Sequence, residues 1–368
     1  MPSAEVPTYS RAAVLEKAGS KYEVVELATP QPGPGEVLVR MKASGICHSD
    51  LAAHTPESPE ALQPIRPLIG GHEGVGLVVK LGEGVTRRKV GDLVGLAFLA
   101  SNCGVCEACT SGSVNVCQAA TFRGFTVHGT FAEYAIAEAE HAILIPASVA
   151  PDQACPILCA GLTVYKALKL AQPLAGQWVV VPGAGGGLGH LAVQYGKSLH
   201  SPISVYTRLT LIFLRTAKAM GLRVVGIDST AKAELVKTCG AEHFVDFSAV
   251  KDVVSEVIRL TGGGAHLSII CVAHPSGYTD ALLYARTLGK IACVGLAPFG
   301  LHSAQLIGKQ LTLIGSQTGS QHEAAEALSF VERGLVRCEL EKRSLHDVER
   351  TLDDLKKGRI GGRVVIEL

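Results

Sequence analysis

The sequence predicts a two-domain α/β protein in which an irregular β-rich part precedes a doubly wound parallel sheet. Three observations predict it. The chain has 368 residues, more than one core comfortably holds. Up to about residue 160 it is rich in Gly and Pro, with short branched runs such as Val37 to Arg40 and Gly76 to Lys80; these read as strands with few helices. From about Thr163 strand-like and helix-like stretches alternate, and that order favours parallel strands joined by crossover helices.

The elements follow in order. Trp178 to Val181 reads as the first strand of the sheet and meets a glycine cluster that opens a helix. Arg223 to Asp228 is the next strand, and Leu267 to Val272, Lys290 to Gly295 and Leu311 to Gly315 are further strands between helices. The tail from Gly319 carries a helix over Glu323 to Arg333 and a closing strand at Arg363 to Ile366, expected to return to the first domain.

Composition narrows the function. Hydrophobic residues make up 47% and charged residues 18%, which is globular rather than disordered. A net charge of +1 gives no basic field for nucleic acid. No apolar run approaches the roughly 20 residues that span a bilayer, so no membrane partner is expected. The first residues, M-P-S-A-E-V-P-T-Y-S-R, resemble neither a signal peptide nor a presequence, so a cytoplasmic location is expected. There, eleven cysteines read as metal ligands or buried residues before disulfides.

Zinc catalysis needs three protein ligands and one open position. G-I-C-H-S-D at Gly45 to Asp50 offers Cys47, G-G-H-E-G-V-G at Gly70 to Gly76 offers His72, and P-I-L-C-A-G-L at Pro156 to Leu162 offers Cys159. Cys103, Cys106, Cys109 and Cys117 form C-x2-C-x2-C-x7-C, and four thiolates so closely spaced suit a closed structural zinc. A ferredoxin cluster would want a shorter last gap and a proline where Gln118 stands. Cys155, Cys239, Cys271, Cys293 and Cys338 read as buried small apolar residues.

After the first strand of the sheet comes P-G-A-G-G-G-L-G, with Gly183, Gly185, Gly186, Gly187 and Gly189 around Leu188. Glycines here let backbone N–H groups reach a pyrophosphate at a helix N-terminus. The strand ending at Asp228 places a carboxylate for the adenosine ribose, which favours NAD over NADP. Lys232 is a second candidate at the ribose, or a solvated lysine.

Together these strings resemble the yeast-type, zinc-containing medium-chain alcohol dehydrogenases across essentially the whole chain. The resemblance implies a GroES-like catalytic domain over residues 1–160, joined by 319–368, and a Rossmann NAD-binding domain over 161–318. It implies two Zn2+ per subunit, the catalytic one held by Cys47, His72 and Cys159. Asp50 would orient His72, and Glu73 would either approach the metal or serve only as structure. Ser49 would take the alcohol proton, His48 would contact the cofactor phosphate and Arg363 its pyrophosphate. The family often ends its proton relay on a histidine five residues after the zinc cysteine. Ala52 stands there, so His54 or water would finish the relay. Phe98 stands where the family often has tryptophan, which would widen the substrate pocket. The implied partner is a small alcohol or aldehyde and the implied assembly a homotetramer. The alternatives are a related reductase for a larger substrate in a biosynthetic pathway, and a form impaired by an insert.

That insert is the one discordant feature. Gly189 lies 39 residues before Asp228, where the fingerprint acid should follow about 20 residues after the glycines. Removing 21 residues, so that Ala217 follows Tyr195, shortens the spacing to 18 and restores the helical pattern. The anomalous stretch, near 197–216, is either a looped-out insertion or a translated intron. The residues permit donor-like codons over Gly196 to Ser198 and an acceptor-like CAG at Thr216 to Ala217. An intron would interrupt the helix one to two turns after Gly189 and leave the full-length protein weak or unstable.

Overall fold

The computed structural model describes residues 5–53, 63–198 and 221–368. His54 and most of the anomalous stretch lie outside the described residues. The chain divides into two compact units, one of Met1–Leu162, Thr318–Glu332 and Cys338–Leu368, the other of Thr163–Gln317 and Arg333–Arg337.

The second unit is built on six parallel strands: Trp178–Pro182, Arg223–Asp228, His243–Asp246, Ala265–Ile270, Ala285–Cys293 and Thr312–Gly315. Numbered in chain order, they lie side by side as 3-2-1-4-5-6, the order of a doubly wound dinucleotide-binding sheet. The central strand Trp178–Pro182 is an unbroken apolar run and its neighbours carry shorter ones, as strands covered on both faces do; Val179, Val180, Val181, Val225, Ile269 and Ile270 are all buried. The strand expected at Arg223 to Asp228 has those bounds. The strand expected at Lys290 to Gly295 begins earlier, at Ala285, and ends at Cys293. Its first half, A-R-T-L-G, holds the charged and glycine residues of a turn, and Leu288 there has a φ of 63°, so local pattern hid it.

The helix Gly189–Ser198 starts at the glycine turn and buries Leu191, Ala192 and Tyr195. Its last described residues are Gly196, Lys197 and Ser198, and the stretch on which the expected interruption turns, from 199, lies outside the described residues. Ser198 Oγ donates to the Leu335 carbonyl at 3.2 Å. A Cβ on Gly221 would stand 2.7 Å from the Lys197 carbonyl oxygen, so the flanks of the undescribed segment 199–220 lie side by side.

In the first unit the long strand Glu36–Ile46 is the hub. It pairs antiparallel with Gly74–Leu81, Tyr134–Glu138 and the C-terminal Arg363–Glu367. Its neighbours bring Cys47, which follows it, close to His72 and Glu73, which precede Gly74–Leu81. The tail helix spans Gln321–Glu332. No single helix among the described residues is long and apolar enough to cross a membrane.

Candidate metal centres and cofactor turn

The first cluster is assembled from three strand and helix ends. Cys47 is the N-cap of the short helix His48–Ala52, and Cys159 follows the 3-10 turn Cys155–Leu158. The ligand atoms of Cys47, His72, Glu73 and Cys159 all lie within 4.8 Å of one another, with the two sulfurs 3.7 Å apart. Asp50 organises the group twice. One carboxylate oxygen accepts the Cys47 N–H at 2.8 Å, and the other lies 3.1 Å from His72 Nδ1. That contact turns His72 Nε2 toward the sulfurs, where it is fully buried and has no hydrogen-bond partner. A buried nitrogen is not left so without cost; a cation between it and the two sulfurs satisfies it, and the donor set of two thiolates and one imidazole suits zinc.

The electrostatics agree with a site built for positive charge. Burial works against a charged His72, but the Asp50 carboxylate and the Cys47 sulfur together outweigh it and the imidazole is pushed up to about 10. Cys47 is held well below the usual thiol range, first by its contact with Cys159 and then by Arg363 and His72. Cys159, which shares that contact, is pushed up by it and by burial. Ser49 Oγ is 3.7 Å from Cys47 Sγ, and His48 is exposed on the same turn. Phe98 packs edge-on against His72, ring centres 5.3 Å apart, and stacks on Phe122.

Glu73 and Arg363 meet where sequence spacing gave no warning, 290 positions apart. Arg363 Nη2 donates to Glu73 Oε1, and both side chains are buried. Arg363, expected at the pyrophosphate, is thus committed to Glu73, because the strand Arg363–Glu367 pairs beside Ile46. Gly45 leaves room for this carboxylate, since a Cβ there would stand 2.1 Å from Glu73 Oε2.

The second cluster holds Cys103, Cys106, Cys109 and Cys117 around the short helix Glu107–Thr110. Sulfur separations of 3.6, 3.8 and 4.0 Å link them in pairs. Four thiolates at this spacing form a closed tetrahedral set with no open position. The lobe has little core of its own: Val105 is 82% exposed and Val116 56%. Backbone N–H groups bring Cys103 down to about 6, while burial and its sulfur neighbours push Cys109 up to about 12. Sequence reasoning missed Asn102, whose side-chain oxygen takes the Gly104 N–H at 3.1 Å and faces Cys109 Sγ at 3.4 Å. Its amide lies 2.9 Å from His141 Nε2. Adjacency to Cys103 was the available signal for Asn102; nothing in the sequence marked His141. Of the other cysteines, Cys155, Cys239 and Cys338 are buried, and Cys271 and Cys293 are half-buried.

In the second unit the glycine turn is tight for steric reasons. Gly183 has a φ of +76°, and a Cβ on Gly189 would stand 2.0 Å from the Gly183 carbonyl oxygen. Asp228 closes the turn: one carboxylate oxygen accepts the Gly185 N–H at 2.8 Å, the other the Ser229 N–H at 2.8 Å. The oxygen on Ser229 also takes its hydroxyl, at 3.4 Å, while the oxygen on Gly185 keeps a second acceptor position. The Lys232 stem packs over Gly185, where a Cβ would be 2.6 Å from it. Gly186, Gly187 and Leu188 lie half-buried at the start of the helix.

The chain matches the alcohol dehydrogenase GroES-like domain over residues 33–147 and the zinc-binding dehydrogenase domain over 209–333. It is 42% identical to "Alcohol dehydrogenase" of Schizosaccharomyces pombe, covering 99% of both chains. It is 39% identical to "Alcohol dehydrogenase 1" of Emericella nidulans, again over 99% of each. Among solved structures, the alcohol dehydrogenase of the archaeon Aeropyrum pernix superimposes with a TM-score of 0.84 at 28% identity, covering 97% of this chain and 100% of that one. The acetophenone reductase of Geotrichum candidum, solved with NAD, gives 0.81 at 26%, covering 99% of each. The fold and the two sulfur-rich centres define a zinc-type medium-chain dehydrogenase, a GroES-like domain joined to a Rossmann sheet. The chain belongs to the zinc-containing alcohol dehydrogenase family.

Proposed function

We propose that the chain oxidises a small primary or secondary alcohol to its aldehyde or ketone, passing a hydride to NAD and releasing a proton, and runs the reverse reduction. The observation that carries this reading is the buried Cys47, His72, Cys159 set with its unpartnered Nε2. Zinc held there would lower the pKa of an alcohol so that its alkoxide exists near neutral pH. Every other part of the work falls to the chain. Asp50 fixes the His72 tautomer and ring direction. Ser49, 3.7 Å from Cys47 Sγ, would hold the alcohol proton before His54 or water takes it onward, and exposed His48 would meet a cofactor phosphate. Arg363 keeps Glu73 paired, so the buried carboxylate is not left as an uncompensated charge. Asp228 holds the glycine turn and keeps an acceptor position on the oxygen facing Gly185 for a ribose hydroxyl, and its charge would repel a 2′-phosphate.

The assembly reading is a homotetramer in the cytoplasm. It is supported by the edge strand Thr312–Gly315 with exposed Leu296 and Ile307 nearby, at 86% and 73%, and by eleven cysteines without a disulfide. For the anomalous stretch, the adjacent flanks at Lys197 and Gly221 fit either a looped insertion or a removable intron product.

A panel of primary, secondary and aromatic alcohols, assayed with NAD and with NADP, tests the reading. Turnover of a small alcohol with NAD is expected; activity with NADP alone would overturn the cofactor assignment.

A further inference from the structure

The first unit holds a cavity of about 460 Å3 that shares no residue with either cysteine cluster. That volume falls in the range of small-molecule sites, about 300–1,000 Å3. Its wall is mainly apolar, with Ala12, Leu27, Ile69, Val127 and Ala132 among the lining residues. One charged group is sunk into it: Arg123 is only 4% exposed. Its Nη1 donates to the Ile136 carbonyl at 3.0 Å, but Nε is fully buried without a partner.

A buried guanidinium normally has a carboxylate on its fork. Among the described residues none forms an ion pair with Arg123. Two glutamates line the same cavity, yet neither forms an ion pair with Arg123. Glu36 Oε2 accepts the Gly33 N–H at 2.8 Å, and Glu138 lies 3.1 Å from His141 Nδ1. Glu138 reaches Arg123 only through space, and burial brings the guanidinium down to about 10.

We propose that this cavity binds a small monocarboxylate with a short alkyl chain, its carboxylate on Arg123 and its chain against the apolar wall. A planar carboxylate matches the guanidinium fork and supplies the charge partner that buried Arg123 lacks. The apolar lining accounts for the alkyl part. Glu36 and Glu138 repel any anion, and a dianion about twice as strongly, so a single negative charge is the form favoured on Arg123. The site backs onto the catalytic side of the unit: the Arg123 N–H donates to the Phe98 carbonyl at 2.8 Å, and the Phe98 ring packs on His72.

The test is calorimetric titration of the zinc-loaded full chain with sodium hexanoate, and separately with sodium phosphate at matched ionic strength. The same titrations are run on Cys47→Ala, because a carboxylate can also seek the catalytic metal. One saturable hexanoate site is expected in both proteins, with no saturable phosphate binding. Arg123→Gln should weaken hexanoate at least about tenfold, and Arg123→Lys less. Leu27→Trp, at the half-open rim, should weaken it without touching the charge. Three results overturn the proposal: hexanoate binding lost in Cys47→Ala, unchanged affinity in Arg123→Gln, or phosphate binding as well as hexanoate. Should Arg123→Gln fail to fold, unchanged affinity in Leu27→Trp overturns it instead.

Discussion

Replacing Asp228 separates two jobs that one carboxylate performs. In the parent, its two oxygens take the Gly185 and Ser229 N–H groups, each at 2.8 Å, and the side chain is 7% exposed. Asp228→Ala strands the buried Gly185 donor, at a cost of about 1–3 kcal/mol. For a unit of this size, that lowers its melting temperature by about 2–12 °C. The same change removes a charged acceptor for the ribose, worth about 1.5–3 kcal/mol, or roughly tenfold to a hundredfold in NAD affinity. Asp228→Asn keeps one acceptor oxygen for Gly185 but loses the charge, so it should melt closer to the parent while its preference for NAD over NADP still falls. Trp178, the single tryptophan, lies in the neighbouring strand, stacked on His243 with the Arg223 guanidinium 3.8 Å from its ring. Its fluorescence therefore reports unfolding of this unit, and calorimetry gives the two cofactor affinities. An Asp228→Asn protein that discriminates against NADP as strongly as the parent would refute the charge argument. An Asp228→Ala protein as stable as the parent would refute the structural one.

Three further outcomes are expected. Burial pushes the His190 imidazole, beside the glycine turn, down to about 4. Between its ordinary value near 6.5 and that value only the unfolded chain takes up the proton, so stability present above pH 6.5 is lost as pH falls toward 4, by up to roughly 3 kcal/mol; His190→Gln should flatten denaturation midpoints across this window, and an unchanged profile counts against the assignment. Asp50→Asn should weaken zinc at the first cluster about tenfold to a hundredfold, read by chelator competition, while the four-cysteine cluster keeps its metal; equal loss from both would mean a general folding defect. Deleting residues 196–216, which joins Tyr195 to Ala217, should leave a 347-residue protein that binds NAD at least as well as the full chain; a deletion protein that aggregates would mean the segment is a working part of the fold.

Much of the architecture was legible because it is written in local pattern. The branched run ending at Asp228 and the glycine turn are confined to short stretches whose residue types admit few alternatives. The four-cysteine spacing is equally local. The strand from Ala285 was not legible, because only Ala285 of its first half pairs, with Ala265, before a register shift, and regular pairing resumes at Lys290 opposite Leu267. The site's supporting contacts were hidden for a related reason. Glu73 with Arg363, and Asn102 with His141, are joined by sheet pairing and loop return rather than by spacing. The buried, unpaired Arg123 gave no sign at all, since a single arginine in a loop reads as solvated.

The central claim is that two chemically different sulfur-rich centres each hold one zinc and that only the first supports turnover. Zinc content per chain, measured on the parent, Cys47→Ala and Cys106→Ala alongside NAD-linked alcohol oxidation, tests it most directly. The account predicts two zincs in the parent, and one in a folded Cys47→Ala protein that has lost turnover. In Cys106→Ala it predicts loss of the other zinc together with lowered thermal stability. A Cys47→Ala protein that retains two zincs, or that still oxidises alcohol at the parent rate, would contradict it.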